Sequence, residues 1–190
     1  DTQSFSDALP DETLDANAAH FSRLPATFEG RTRLLGGMLD AANARIGELV
    51  EPMLPRSNRR PEGIMAATAL CCLLEQNRVT YSFIGDSRIY LIRGESISVL
   101  TRDHNLKSQL VRAGRPPSQV DDIPGANALV RCVGDFDRND DLSIRPVGLR
   151  PEYGEFTVLP GDTVVMCSDG IVDYAGRDEE EAEELIRKAV

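Results

Sequence analysis

The residues best suited to chemistry lie in one stretch, Phe156–Gly170, which has the sequence FTVLPGDTVVMCSDG. Within it, Thr163–Cys167 is a continuous apolar run of strand length, which predicts a strand buried on both faces. Asp169 follows the end of this run, and Gly170 comes next. A carboxylate at the end of a buried strand, beside a glycine that lets the backbone approach closely, could hold a hard metal ion. The alternative is a plain turn, which Asp-Gly by itself favours.

A second aspartate lies in a similar setting earlier in the chain. Val79–Leu91 has the sequence VTYSFIGDSRIYL, which predicts two strands joined by the turn Gly85–Arg88. Asp86 lies in that turn. The segment Leu100–His104 (LTRDH) follows, and after it comes a short helical segment that ends at Gly114.

Together these segments resemble the PPM-type (type 2C) metal-dependent serine/threonine protein phosphatases. In that family a GDSR-type turn is followed by an LTxDH segment, a helix ending in Gly, an LTRALG-like strand and a PGD…SDG strand pair. The LTRALG-like piece here is Leu129–Gly134, with the sequence LVRCVG. Four matches in the right order are specific, whereas any one of them alone would be weak.

The resemblance implies a fold and a chemistry. The fold is α+β, a four-layer αββα sandwich in which two antiparallel sheets are flanked by helices. The chemistry is hydrolysis of phosphoserine or phosphothreonine by a water that two Mn²⁺ or Mg²⁺ ions activate, with a third, weaker metal site in many members. The implied partners are a phosphoprotein substrate and a serine/threonine kinase or its targets.

The resemblance also implies site residues. Asp169 matches the metal ligand of the family's SDG motif, and Asp86 matches the GDSR aspartate that touches the weaker third metal in many members. Gly170 is expected to let the chain turn closely beside the ions. Arg88 is expected to support its turn, and His104 to be structural, because the family's catalytic histidine belongs to an N-terminal motif.

Several motifs of the family have no counterpart here. The early acid, the DGxxG motif, the phosphate-binding Arg and the late DN-x-T strand are missing from the sequence. The sandwich is therefore expected to lack some N- and C-terminal strands, and residues 1–190 are interpreted as a single partial phosphatase domain. The alternative function is a catalytically inactive, phosphatase-like regulatory or protein-binding module. The presence of SDG and GDSR favours an active enzyme, although both motifs also make good turns.

Other segments are predicted to form the helices that position these residues. Arg31–Val50 carries one apolar stripe, which is typical of a helix packed on a sheet. A short helix is predicted over Asn105–Ala113 with Asp103 as its N-cap, and the acidic run that begins at Asp178 predicts an amphipathic helix with a solvated face. A further helix is predicted over Asp11–Leu24.

The remaining strands are predicted from short apolar runs between turn residues. They are Gly63–Leu74, Ser96–Leu100, Leu129–Val133 and Leu142–Ile144.

Composition limits the partners that the protein is expected to have. The net charge of −10 over 190 residues argues against binding to nucleic acid or to an anionic membrane, because both need a basic surface. No apolar run approaches the roughly 18 residues of a membrane span. Four cysteines occur without a CxxC pair and are predicted to be buried free thiols, which suits a reducing cytoplasm: Cys71, Cys72, Cys132 and Cys167.

Overall fold

The computed structural model describes residues 24–53, 66–141, 143–176 and 178–190. The helix predicted over Asp11–Leu24 lies outside these residues, apart from Leu24 itself. Among the described residues, no helix has the length and apolar character needed to cross a membrane.

The described helices include the three that the sequence predicts, around Arg31–Val50, Asn105–Ala113 and the acidic run from Asp178. The short helices over Pro117–Val120 and Asp169–Ala175 were not predicted. The long helix begins at an N-cap threonine, Thr27, whose hydroxyl accepts a hydrogen bond from the Gly30 N–H. The helix that contains the acidic run begins at Glu179, and its N-cap is Asp178, whose carboxylate accepts from the Glu181 N–H. The helices are α1 (Phe28–Val50, extended by a 3-10 turn over Glu51–Met53), α2 (Leu106–Arg112), α3 (Pro117–Val120), α4 (Asp169–Ala175) and α5 (Glu179–Ala189).

The described strands form two three-stranded antiparallel sheets and one two-stranded ribbon. Sheet 1 has the order β1-β2-β7, sheet 2 has the order β4-β3-β8, and β5 pairs with β6. The strands are β1 (Ala69–Glu75), β2 (Arg78–Ile84), β3 (Arg88–Arg93), β4 (Ser96–Val99), β5 (Phe136–Arg138), β6 (Ile144–Pro146), β7 (Glu152–Thr157) and β8 (Thr163–Cys167).

The two main sheets pack face to face, and helices cover their outer faces. Tyr81 and Phe83 of sheet 1 meet Ile89 of sheet 2 in the inter-sheet core. On the outer face of sheet 2, Tyr90 packs with Ile186 of α5. On the outer side of sheet 1, α1 packs against β2. The αββα layer order that the resemblance implied is therefore confirmed.

A buried arginine fastens α1 to sheet 1. Arg31 is 1% exposed, and its Nε donates to the Thr80 hydroxyl at 2.7 Å. The same guanidinium pairs with Glu155 of β7 and donates to the carbonyl oxygens of Pro25 and Ala26 at 3.1 and 2.9 Å. A buried cation must be paired and hydrogen-bonded to be tolerated, and Arg31 meets both conditions.

A buried asparagine fastens the other half of α1 to two loops. The Asn43 side-chain carbonyl accepts from the Gly134 N–H at 2.7 Å, and its amide donates to the Val147 carbonyl at 3.3 Å. Asn43 thereby satisfies two backbone groups in segments that have few strand partners.

Two strand predictions were wrong. The run Thr163–Cys167 is a strand, but it is not buried on both faces, because β8 is an edge strand of sheet 2 among the described residues and Met166 is 46% exposed. Leu129–Val133 does not form a strand. It contributes only isolated bridges, from Leu129 to Asn105 and from Val133 to Ala67.

Candidate functional site

A cavity of about 700 Å³ brings two of the predicted site residues together. Asp86, from the turn between β2 and β3, and Asp169, from the start of α4, both line it. They are far apart in sequence, and they meet because sheet 2 pairs β3 directly with β8. Gly170 is not among the residues that line this cavity.

Asp169 is the first residue of α4 rather than part of a free turn. Ser168 precedes it in an extended conformation and acts as the N-cap residue without a capping side-chain hydrogen bond. A carboxylate in the first turn of a helix faces the positive end of the helix dipole. This position keeps the Asp169 carboxylate exposed at the cavity.

Gly170 is the second residue of α4, so the turn expected there is the first turn of a helix. A Cβ atom at this position would lie 3.7 Å from the Ser168 hydroxyl oxygen, which is ordinary van der Waals contact. Nothing in the packing therefore requires glycine here. Its role beside metal ions stays a prediction.

The turn that carries Asp86 has a stricter requirement for glycine. Gly85 has φ +109°, and a Cβ atom there would lie 2.9 Å from the backbone Cα of Thr68. The Thr68 and Ser87 hydroxyl groups are 2.8 Å apart and hydrogen-bonded. The turn is thus held closely against the residues that precede β1.

His104 holds the turn that carries Asp86 through two hydrogen bonds to Gly85. The Gly85 N–H donates to His104 Nδ1 at 3.2 Å, and the His104 N–H donates to the Gly85 carbonyl at 2.9 Å. The imidazole is buried and stacks on Phe83 with 4.9 Å between the ring centroids. His104 does not line the cavity, so its position agrees with a structural role.

The surroundings of His104 favour its neutral form. Burial and the charge of Arg131 lower the pKa of His104, and the nearby Glu152 only partly opposes them. Because Nδ1 accepts a hydrogen bond, the neutral ring carries its proton on Nε2. That atom lies 3.3 Å from Oε1 of Glu152 but outside hydrogen-bond geometry, so the contact is electrostatic only.

Arg88 joins three segments around the cavity. Its guanidinium donates to both carboxylate oxygens of Asp103, at 3.0 and 2.8 Å, and it also pairs with Glu179 at the start of α5. Burial would lower the pKa of Arg88, but the hydrogen bonds to Asp103 and Tyr90 and the charges of the two carboxylates raise it above its usual value. Arg88 therefore fixes the turn of Asp86 relative to α5, which follows the helix of Asp169.

This ion pair overturns the prediction that Asp103 caps the next helix. The N-cap of α2 is Asn105, whose side-chain oxygen accepts from the Ser108 N–H at 2.9 Å. Asp103 instead pairs with Arg88 of β3. The prediction that this helix ends at Gly114 was closer, since α2 ends just before Gly114, which has φ +92°.

Other lining residues were missed at the level of sequence. Asp178 and Glu179 line the cavity, although the acidic run that they begin was interpreted as a solvated helix face. The lining also includes cations from the segment after β4, namely Arg102, Lys107 and Arg112. The only sequence signal for the two acids was their closeness to the SDG motif. No sequence pattern pointed to the three cations.

The carboxylates supply part of a metal site. Mg²⁺ is usually held through one or two carboxylates and keeps several water ligands, so Asp86 and Asp169 fit a hard divalent cation of this kind. Within the described ranges, no group of three or more His, Cys, Asp or Glu side chains is arranged to hold a metal ion. These residues therefore fit a partial ligand set and not a closed all-protein cage.

Comparisons by sequence and by fold both match this chain to protein phosphatases. The family model "Protein phosphatase 2C" matches residues 49–190, which is more than half of the chain. Protein phosphatase PhpP of Streptococcus pneumoniae is 31% identical over 116 residues, which is 60% of this chain and 43% of PhpP. The chain thus spans less than half of the length of this relative.

Solved structures share the fold. A serine/threonine phosphatase of S. agalactiae superposes with a TM-score of 0.66 and 19% identity, covering 93% of this chain and 72% of that one. The catalytic domain of serine/threonine protein phosphatase PstP, solved in complex with 2 manganese ions, gives a TM-score of 0.58 and 24% identity, covering 94% and 72%. At these identities the similarity shows the fold.

Proposed function

The chain belongs to the protein phosphatase 2C family, and from this we propose that the protein is a Mn²⁺- or Mg²⁺-dependent protein serine/threonine phosphatase. The observation that carries the proposal is the meeting of Asp86 and Asp169 in one cavity. Both aspartates were singled out from separate motifs. Two unrelated turns would have no physical reason to present their carboxylates to the same space.

In this proposal Asp169 is a metal ligand and Asp86 is a ligand of the weaker site, with Gly170 beside them. A bound divalent cation supplies Lewis-acid stabilisation of the phosphoryl group and a nucleophile at neutral pH. Arg88 keeps the two carboxylate-bearing segments in place through Asp103 and Glu179. The manganese ions of the PstP catalytic domain support the choice of metal, and two ions are proposed here as well, with a third, weaker site.

The proposed substrate is a phosphoserine or phosphothreonine in a protein, and a serine/threonine kinase or its targets are the proposed partners. Support comes from PhpP, which is named as a protein phosphatase, and it favours the enzyme over the inactive regulatory module. We also propose a single partial phosphatase domain over residues 1–190 and a cytoplasmic location. The free cysteines Cys71, Cys72, Cys132 and Cys167 support that location.

The first test is the variant Asp169→Asn, which keeps the size of the side chain and removes its charge. In a complete chain we expect it to abolish Mn²⁺-dependent release of phosphate from a phosphothreonine peptide and to weaken Mn²⁺ binding by at least about tenfold, because hard cations need anionic oxygen ligands. Isothermal titration calorimetry with Mn²⁺ gives the second readout. The matched control is Asp40→Asn on α1, which lies outside the cavity. Unchanged phosphate release by Asp169→Asn would refute the assignment.

A further inference from the structure

The cavity that holds Asp86 and Asp169 also holds four cations, and their pairing differs. Arg88 forms ion pairs with Asp103 and Glu179. The remaining three come from the segment between β4 and the end of α2.

Two of these three have carboxylate partners. Nζ of Lys107 lies 2.7 Å from Oδ1 of Asp121, and Nη1 of Arg112 lies 3.6 Å from Oε1 of Glu152. Arg102 makes no hydrogen bond or ion pair with any residue in the ranges that the structure describes. Its side chain is exposed at the cavity, so its charge is available to a ligand.

The backbone on either side of Arg102 is held firmly. The Thr101 hydroxyl accepts from the Ile89 N–H at 3.1 Å, and Asp103 forms the two-pronged pair with Arg88. Thr101 is buried, whereas Arg102 is exposed. A long cation on a fixed backbone position is a suitable anchor, because only its side chain must be ordered on binding.

The acidic surroundings of Arg102 favour a role for its charge in binding an anion. The cavity is lined by five acidic side chains, Asp86, Asp103, Asp169, Asp178 and Glu179, and the chain as a whole has a net charge of −10. A phosphopeptide carries close to two negative charges on its phosphate at neutral pH. An unpaired cation in this acidic setting offers an anionic ligand a contact in addition to the proposed metal ions, and an arginine fork matches the oxygens of both phosphate and carboxylate.

Building on the phosphatase function proposed above, we propose that Arg102 is the anion-binding group of a substrate subsite in this cavity. Its guanidinium contacts an anionic group of the phosphopeptide, which is either the phosphate or a carboxylate side chain next to the phosphorylated residue. Arg102 is thus a specificity-determining residue. It is not a ligand of the metal.

The test measures binding separately from hydrolysis. Two fluorescein-labelled peptides carry a phosphonate analogue of phosphoserine that cannot be hydrolysed, one flanked by Glu and the other by Gln, and fluorescence anisotropy gives their Kd in the presence of Mn²⁺. The variants are Arg102→Gln, Arg102→Lys and the control Arg33→Gln. Arg33 is exposed on α1 outside the cavity, so its loss changes the net charge equally.

We expect Arg102→Gln to weaken binding by about tenfold or more, because hydrogen bonds between charged groups are among the stronger ones in proteins. Arg102→Lys should lose less, since it keeps the charge but not the fork, and Arg33→Gln should stay within about twofold of the parent protein. An equal loss for both peptides assigns the contact to the phosphate. A loss confined to the Glu-flanked peptide assigns it to the carboxylate.

The proposal is overturned if Arg102→Gln binds both peptides as tightly as the parent protein, if Arg33→Gln loses as much, or if the parent protein binds neither peptide. The melting temperature of Arg102→Gln should match that of the parent protein, because its side chain has no hydrogen bond or ion pair to lose among the described residues. Failure of the phosphatase function is a separate result. It would be seen as Arg102-dependent binding of the phosphonate peptides without release of phosphate from the natural peptide.

Discussion

Among single residues, His104 is the one whose protonation is expected to make the stability of the fold depend on pH. Its ring is buried, accepts a hydrogen bond from Gly85 at Nδ1, and has a pKa below its usual value of 6.5 because of burial and the charge of Arg131. The unfolded chain therefore binds a proton at a higher pH than the folded protein does. This stabilisation is complete above about pH 6.5 and decreases as the pH falls from there through the folded pKa.

We expect the free energy of unfolding in urea to fall between about pH 7.5 and pH 5, with a slope of at most roughly 1.4 kcal/mol per pH unit for this one proton. In His104→Gln that part of the slope should disappear, although the variant is less stable at pH 7.5. An unchanged slope in His104→Gln would contradict the assignment.

Gly85 is the residue whose replacement should disturb the site turn most directly. With φ +109° and the Thr68 backbone 2.9 Å from the position of a Cβ atom, Gly85→Ala should destabilise the fold by about 2 kcal/mol or more. Gly114→Ala is the matched control, because Gly114 has φ +92° but no atom within 4 Å of that position. Thermal unfolding should show the larger loss for Gly85→Ala, and equal losses would show that the contact with Thr68 is unimportant.

Among the elements, α1 depends on a polar anchor as well as on its apolar stripe. Leu35, Leu39 and Val50 of this helix are buried, and Arg31 in its first turn is buried as well, in contact with Thr80 and Glu155 of sheet 1. The pKa of Glu155 is lowered chiefly by its hydrogen bond to Arg31. Helix position and sheet register are thereby coupled through one guanidinium.

Arg31→Met should therefore destabilise the protein by about 3 kcal/mol, because two backbone carbonyls lose their donor and Glu155 keeps only the Thr80 hydroxyl and the more distant Arg78. Arg33→Met removes an exposed arginine two residues further on and should stay within about 0.5 kcal/mol. Chemical denaturation of the two variants gives the comparison. A small effect of Arg31→Met would mean that water replaces the guanidinium at little cost.

In the molecule as a whole, the edges of the two main sheets are the least protected feature. Both β1 and β8 lie at edges among the described strands, and both are nearly free of charge. Leu74 of β1 and Met166 of β8 are 63% and 46% exposed. Uncharged apolar edges favour pairing with another chain.

We expect the isolated 190-residue chain to be marginally stable or to associate through such an edge. Sedimentation velocity at increasing concentration should show this association, and Met166→Lys should reduce it while leaving the circular dichroism spectrum unchanged, because a charged edge residue opposes strand pairing. The control is Leu185→Lys on the exposed surface of α5. A monomer that unfolds cooperatively at every concentration would contradict this expectation.

The sequence by itself determined the features that depend on neighbours along the chain. The strand-turn-strand unit around Gly85, the long helix α1 and the acidic amphipathic helix α5 follow from local spacing of apolar, turn and capping residues. The order of the motifs was enough to imply the αββα layers. The resemblance also pointed to Asp86 and Asp169, whose roles as metal ligands stay a prediction.

Only the tertiary structure decided the features that depend on distant partners. Asp103 is followed by a good helix, and its local pattern favours an N-cap, but Arg88 on a paired strand offers two charge-assisted hydrogen bonds and takes the carboxylate instead. The apolar run of β8 could not reveal that the strand lies at an edge. That Arg102 has no ion-pair partner among the described residues became visible only in the folded arrangement. Local propensity is encoded within a few residues, whereas burial and pairing are set by strands that lie far apart in sequence.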